Sequence, residues 1–272
     1  MWPVQNINSK GAGSGAAAPS APNVTFIKSD DVLNPEMPRD SKGVLILGDI
    51  VPKPGAKMFT IYLTPSKQVK NYTSEGDEDM ETIKQKFEGW HPGDDLDINE
   101  FVQNNLGVGY FIIADNCVDQ HKRVYGTKCS PMKLNVEQTS DNSGRGIKLV
   151  FEQKIGTSKV PAFYNGNMVY AEPTATDETI DLTVANGNTF QLAADAAGAS
   201  ISIATTDRVT GDVVTLIGGG GADPSTLANG ASTAATVILK AGTTWTALEN
   251  ATITFEVIDD GTDTFLIERA RS

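Results

Sequence analysis

The chain has 272 residues, with 22 Lys and Arg against 34 Asp and Glu, a formal charge of −12 and a pI of about 4.6. So acidic a balance excludes phosphate-backbone binding and adhesion to anionic membranes as principal tasks, since both need clustered cations. The length suffices for two domains with cores of their own, and two cysteines make no disulfide framework, so Cys117 and Cys129 read as reduced thiols.

Residues 1–22, "MWPVQNINSKGAGSGAAAPSAP", are rich in Gly, Ala, Ser and Pro and bury too little apolar surface to order themselves. They are expected to form an arm, flexible alone or ordered by a neighbour. They lack the basic start and apolar block of a secretory signal, and no apolar run of about 18 residues follows. The expectation is a soluble protein with no address of its own.

"NVTFIK" then reads as a first strand and "GVLILGDI" at 43–50 as a buried one. "VPKPG" turns the chain into "KMFTIYLT" at 57–64, which alternates as a strand does. "NYTSEGDEDMET" is predicted to be an acidic loop, and "TIKQKFEGW" fits either a strand or a short helix. "GDDLDINEFVQNNLG" is the one clear helix: Asp94 or Asp95 caps it, acids crowd its first turn, Ile98, Phe101, Val102 and Leu106 share a face, and Gly107 stops it. "VGYFIIAD" is a buried strand, and "PMKLNVEQT" and "GIKLVFEQKI" flank the turn "SDNSGR" as a hairpin.

From Pro173 the composition shifts to Thr, Ala, Gly, Asp and β-branched residues, without Cys, His, Met or Tyr. Residues 1–172 carry 18 Lys and Arg against 21 Asp and Glu, while residues 173–272 carry 4 against 13. Short strands recur there: "ETIDLTV", "NTFQLAA", "SISIAT", "DVVTLIG", "ATVILKA", "ATITFEVID" and "DTFLIERA". The reading is an all-β protein: an arm at 1–22, a β-sandwich or barrel with one flanking helix at 23–172, and a small β-sandwich at 173–272.

The candidate chemistry is thin. Four glycines at 218–221 follow a β-branched strand, as a phosphate loop would, but a Walker loop needs Lys and then Ser or Thr. Here Asp223 and Pro224 stand instead, the nearest Lys is Lys240, and "ADPSTLANGAST" leads back into strand rather than opening a helix. A glycine-dependent turn or bulge is the expectation. "GAGSG" at 11–15 follows no strand and reads as linker. His91, Cys117, His121 and Cys129 are the only His and Cys, and their spacing matches no zinc pattern. A Cys129–His121 nucleophile pair lacks a signature and a third orienting group. The acidic stretches lack the alternate acids and closing Glu of a calcium loop, so they read as solvated loops that would repel nucleic acid if they lined a channel. No catalytic, cofactor-binding or metal-ligating residue is assigned.

Residues 188–272 carry "GDVVTLIG", the Trp of "WTALENATITF" and the closing "DDGTDTFLIER", and resemble a β-rich module found at the ends of tailed-bacteriophage virion proteins. The earlier half is similar in element order to phage tail-tube proteins. The residues that carry this likeness are "PRDSKGVLILGDIVPKPGAKMFTIYLTPS", "EGDEDM" with "WHPGDDLDINEF", and "YGTKCSPMKL". The resemblance implies a major tail-tube subunit: hexameric rings stacked into a hollow tube for genome passage, with the C-terminal module outward. Its partners would be further copies, other virion tail proteins and DNA passing without specific binding, with no membrane; its location would be the virion, after synthesis in the bacterial host cytoplasm. On that reading residues 11–22 make neighbour contacts and residues 75–81 form a stacking or lumen loop.

The alternatives are an auxiliary capsid or head-fibre decoration protein, a host-glycan-binding module and an enzyme. A glycan site would want exposed aromatic platforms, and Trp245, Phe190, Phe255 and Phe265 are more simply read as core.

Overall fold

The computed structural model describes residues 6–8, 15–117, 121–142 and 144–272. The protein is all-β with one helix and divides into two compact units, Met1–Asp49 with Phe59–Gly166, and Ile50–Met58 with Asn167–Ser272. The second unit thus begins ahead of the composition change at Pro173 and takes in a segment that no compositional signal marks.

The first unit is built from β1 (Asn23–Lys28), β2 (Phe59–Tyr62), β3 (Val69–Glu75), β4 (Thr82–Pro92), α1 (Leu96–Asn105), β5 (Gly109–Ala114), β6 (Lys122–Tyr125), β7 (Met132–Asp141), β8 (Gly144–Gln153) and β9 (Ala162–Tyr164). One antiparallel sheet runs β2-β1-β5-β7-β8-β4-β3, with β6 continuing along β5 and β9 along β6. The sheet is curled. Neighbouring strands lie about 4.8 Å apart, so β1 and β8, three steps removed, would stand about 14 Å apart if it were flat. Instead the rings of Phe26 and Phe151 meet with centroids 5.1 Å apart.

The curl brings the far ends together: Thr64 N donates to Trp90 O at 2.8 Å, and His91 Nδ1 donates to the Tyr62 carbonyl at 2.9 Å. A Cβ on Gly89 would fall 2.5 Å from Leu63 Cδ1, so only glycine lets fully buried Leu63 lie on β4. Two fully buried glutamines fasten the interior. Gln153 Oε1 accepts Gln85 N at 3.0 Å and its Nε2 donates to Ser130 O at 2.7 Å; Gln85 Oε1 accepts Gly126 N and its Nε2 donates to Lys159 O, both at 2.8 Å. Satisfied on both ends, these amides fix which strands meet without the desolvation cost of an unpaired polar group.

Helix α1 starts where the acids put it, with Asp95 Oδ1 accepting Ile98 N at 3.1 Å. Ile98, Phe101 and Val102 face the core. Leu106 does not: the helix ends at Asn105, the backbone turns extended and Leu106 points into solvent. Buried Asn105 takes the place expected of it, donating to Phe101 O at 2.7 Å and accepting Tyr110 Oη–H at 2.5 Å.

Further differences from the sequence expectations are local. Residues 43–50 form no strand. Gly43 and Gly48 adopt positive φ of 75° and 80°, the Asp40 carboxylate takes the N–H groups of Val44 and Leu45, and only single bridges join Ile46 to Arg39 and Leu45 to Phe163. A hairpin through "VPKPG" is therefore absent, and β2 pairs with β1. Asn71–Glu75 of the expected acidic loop belong to β3, which shortens that loop to 76–81. "TIKQKFEGW" is strand.

The second unit contains β10 (Thr174–Thr176), β11 (Thr179–Leu182), β12 (Thr189–Leu192), β13 (Ser202–Thr206), β14 (Val213–Ile217), β15 (Thr226–Leu227), β16 (Gly230–Ala231), β17 (Thr236–Ile238), β18 (Trp245–Thr246), β19 (Thr252–Asp259) and β20 (Thr264–Arg271). Its main sheet runs β10-β12-β14-β19-β20-β17-β16, with small sheets β11-β13 and β15-β18. The first five strands alternate between two sheets, so β10, β12 and β14 become parallel neighbours, as do β11 and β13. Each crossover that parallel pairing demands is supplied by a strand of the other sheet. Both sheets share one core, in which Ile180, Leu182 and Ile203 meet Phe190, Val214 and Phe255.

The last strand is pinned by a nearly buried carboxylate. Arg271 Nε donates to Glu268 Oε1 at 2.6 Å and Arg271 Nη2 to Oε2, which also accepts Lys240 N at 2.8 Å. The guanidinium holds the Glu268 carboxyl below the usual carboxylate range, against the upward push of burial. A depressed carboxyl contributes its stability in full above the unfolded value of about 4.3 and loses it as pH falls through the folded value. Melting temperature should therefore fall as pH drops below about 5, and Glu268→Gln, less stable at neutral pH, should show a shallower fall by circular dichroism.

Candidate functional site

The glycine run at 218–221 has no N–H groups set to cradle an anion at its first and third positions. Gly218 N donates to Ala251 O at 2.8 Å and Gly220 N to Ala247 O at 2.9 Å. Their carbonyls accept Asn250 N and Asp195 N, both at 3.0 Å. A phosphate loop needs such donors converging on open space; here they stitch β14 to two neighbouring backbone segments.

His91, Cys117, His121 and Cys129 are not gathered. His91 binds the Tyr62 carbonyl, while His121 Nδ1 bonds Asn165 Oδ1 and sets its ring edge to Phe163. Cys117 and Cys129 are exposed thiols, the second in a turn closed by paired Thr127 and Ser130 backbone bonds of 3.1 Å. Among the described residues no three His, Cys, Asp or Glu side chains are placed to hold a metal. Trp245, Phe190 and Phe255 lie in the second unit's core, and Phe265 is half-buried. They offer no stacking platform.

What the first unit presents to solvent is the β3–β4 hairpin. Among the described residues β3 ends the sheet and pairs with β4 alone, in unbroken register from Val69↔Glu88 to Glu75↔Thr82. Six of its seven residues are exposed, including Val69 and Tyr72. Protective devices of edge strands, a proline, a bulge or an outward lysine, are missing from its outer edge. Lys70 is its one cation, and it turns away to donate to Asp115 O at 2.8 Å and Asn116 Oδ1 at 2.7 Å. The tip carries Glu75, Asp77, Glu78, Asp79 and Glu81 with exposed Met80, shaped by a Met80 N to Asp77 O bond of 2.9 Å. The hairpin thus offers an edge strand that, among the described residues, ends its sheet, and a concentrated negative charge at its tip.

No protein family, curated protein or solved structure matches the chain. The geometry of the hairpin and its anchors therefore carries the functional reading.

Those anchors reach the arm. Cys117 N donates to Pro19 O at 2.9 Å, Ala21 N to Asp115 O at 3.1 Å, Leu63 N to Pro22 O at 2.8 Å and Gln68 Nε2 to Ala21 O at 2.8 Å. The last residues of the expected arm are thus bonded to the strand ends beside β3. Residues 1–5 and 9–14, which include part of the stretch assigned to neighbour contacts, lie outside the described residues. Sequence reasoning placed the acidic tip but missed β3 itself, whose only signal is the β-branched and aromatic content of "VKNYTSE". Among the described residues no helix is long and apolar enough to cross a membrane.

Proposed function

We propose that the protein is a self-assembling structural subunit of a tailed-phage virion, the major tail-tube protein, and not an enzyme. Copies form hexameric rings that stack into a hollow tube, and DNA passes without specific binding.

The observation that carries this reading is the seven-residue edge of β3, left without the blocking devices that monomeric sheets use. An edge of this kind is completed by a strand of another copy, through main-chain hydrogen bonds that ask little of side-chain identity. The acidic tip suits a lumen wall, because fixed negative charge keeps a polyanion from adhering.

Proline scanning tests the edge. Along an antiparallel edge strand successive N–H groups alternate between partner strand and solvent. Of Asn71→Pro and Tyr72→Pro, one therefore leaves the β3–β4 ladder intact. That variant is expected to keep the parent's circular dichroism and melting profile while staying monomeric in light scattering, under conditions where the parent assembles. Assembly of both variants at the parent's level would remove the edge from the account.

A further inference from the structure

At the opposite end of the same sheet, β2 leaves its outer edge beside α1, and an open groove of about 310 Å³ lies between them. Phe59, Ile61, Ile98 and Phe101 give it an apolar floor, and Asp95 and Asp97 put carboxylates on its rim. Two floor residues are buried, and Phe59 and Phe101 are half-buried, their ring centroids 5.9 Å apart. The site therefore suits an extended segment that brings one apolar side chain and a positive charge, and it repels acids.

We propose that the groove receives residues 6–10, "NINSK", of a second copy of this chain. The backbone of residues 6–8 adds to β2 beside Thr60, where the edge is open short of the Tyr62 carbonyl held by His91, Ile7 sits on the Phe59–Phe101 floor, and Lys10 comes to the carboxylate rim.

Three observations select this occupant. Ile7 is 95% exposed, the most exposed large hydrophobic side chain described. In a chain of net charge −12, residues 1–27 contain no acid and Lys10 as their one charged side chain, so this segment suits an acidic rim. The segment is also tethered within reach. Pro19 is fixed by Cys117 N, and the eleven residues 8–18 that precede this anchor span at most about 36–40 Å. Within the single chain Ile7 is in solvent and not in the groove, and the mixed-label experiment below tells another copy's segment from the chain's own.

This inference rests on the self-assembly reading, and its test separates the two. In a Cys117→Ser, Cys129→Ser background, Asn8→Cys and Thr60→Cys are combined, both at exposed positions and both, by strand alternation, on the face away from the floor that seats Ile7. Isotopically heavy and light chains are mixed before assembly, oxidised and mapped by mass spectrometry. The expected result is a heavy–light disulfide joining positions 8 and 60. Links confined to like-labelled chains, or no link in assembled material, would overturn the docking while leaving self-assembly standing. Failure to assemble at all in the otherwise unchanged parent would overturn both. Separately, Ile7→Asp should weaken self-association on the order of tenfold while leaving the melting profile unchanged; unaltered association would contradict the seat assigned to Ile7.

Discussion

Replacing the four glycines at 218–221 with alanine should abolish cooperative folding of the second unit. Gly218 and Gly219 pass so close to neighbouring backbone that an added Cβ would lie 2.2 Å from Leu248 O in the first case and 2.3 Å from both Ala193 O and Leu192 O in the second. Gly221 combines a φ of 112° with a Cβ position 1.8 Å from Asp195 O. Carbonyls held in a hydrogen-bonded layer cannot retreat as a flexible side chain would. Gly220, at φ 69°, meets Glu249 Cβ at 2.8 Å, so its penalty is mainly the left-handed backbone, about 1–2 kcal/mol. Gly219→Ala and Gly221→Ala should each cost more than Gly220→Ala, on the order of 3 kcal/mol or above, and the fourfold change should exceed the unit's stability. Denaturant titration of single and fourfold variants checks the order. Since the Gly218 and Gly220 N–H groups are already committed, Mg-ATP should leave the parent's melting temperature unmoved.

Arg208→Met should be nearly as damaging, although this arginine touches no ligand. It is 4% exposed, and among the described residues no carboxylate pairs with it. Its guanidinium donates instead to Leu182 O at 2.9 Å, Thr183 O at 2.7 Å, Asn188 Oδ1 at 2.8 Å and Gly187 O. Those acceptors are the turn between β11 and β12, where the chain leaves one sheet for the other. A planar fork of five donors meets them together; an ammonium cannot. Removing it leaves several inward carbonyls without a donor, at about 1–3 kcal/mol for each that water cannot reach. A loss of roughly 3–5 kcal/mol is expected for Arg208→Met, with Arg208→Lys recovering less than half. Equilibrium unfolding followed at Trp245 measures both. Parity of Lys with Arg would show that charge alone suffices.

Legibility in the sequence followed burial. Strands with one or both faces inside, such as β1, β5 and β8, carry an apolar pattern that marks them, and α1 was marked at both ends by Asp95 and Gly107. β3 was not, because a strand with both faces in solvent has no alternation to read. The opposite error arose at 43–50, where the apolar run "VLIL" suggests a buried strand although positive φ at Gly43 and Gly48 interrupts the extended backbone. Side-chain hydrogen bonds from Asp40 then replace the ladder. The parallel pairing of β10, β12 and β14 depends on partners far apart in sequence, to which local pattern is blind. The same holds for the groove beside β2. Phe101 was recognisable as part of a helix face, but its neighbour Phe59 is brought there only by the sheet's curl.

Electron microscopy of the purified protein separates a tail-tube subunit from a head-decoration protein. Hollow tubes built of stacked rings are expected at raised concentration. Particles that stay monomeric or trimeric at every concentration, and coat empty phage heads when mixed with them, would contradict the tail-tube assignment.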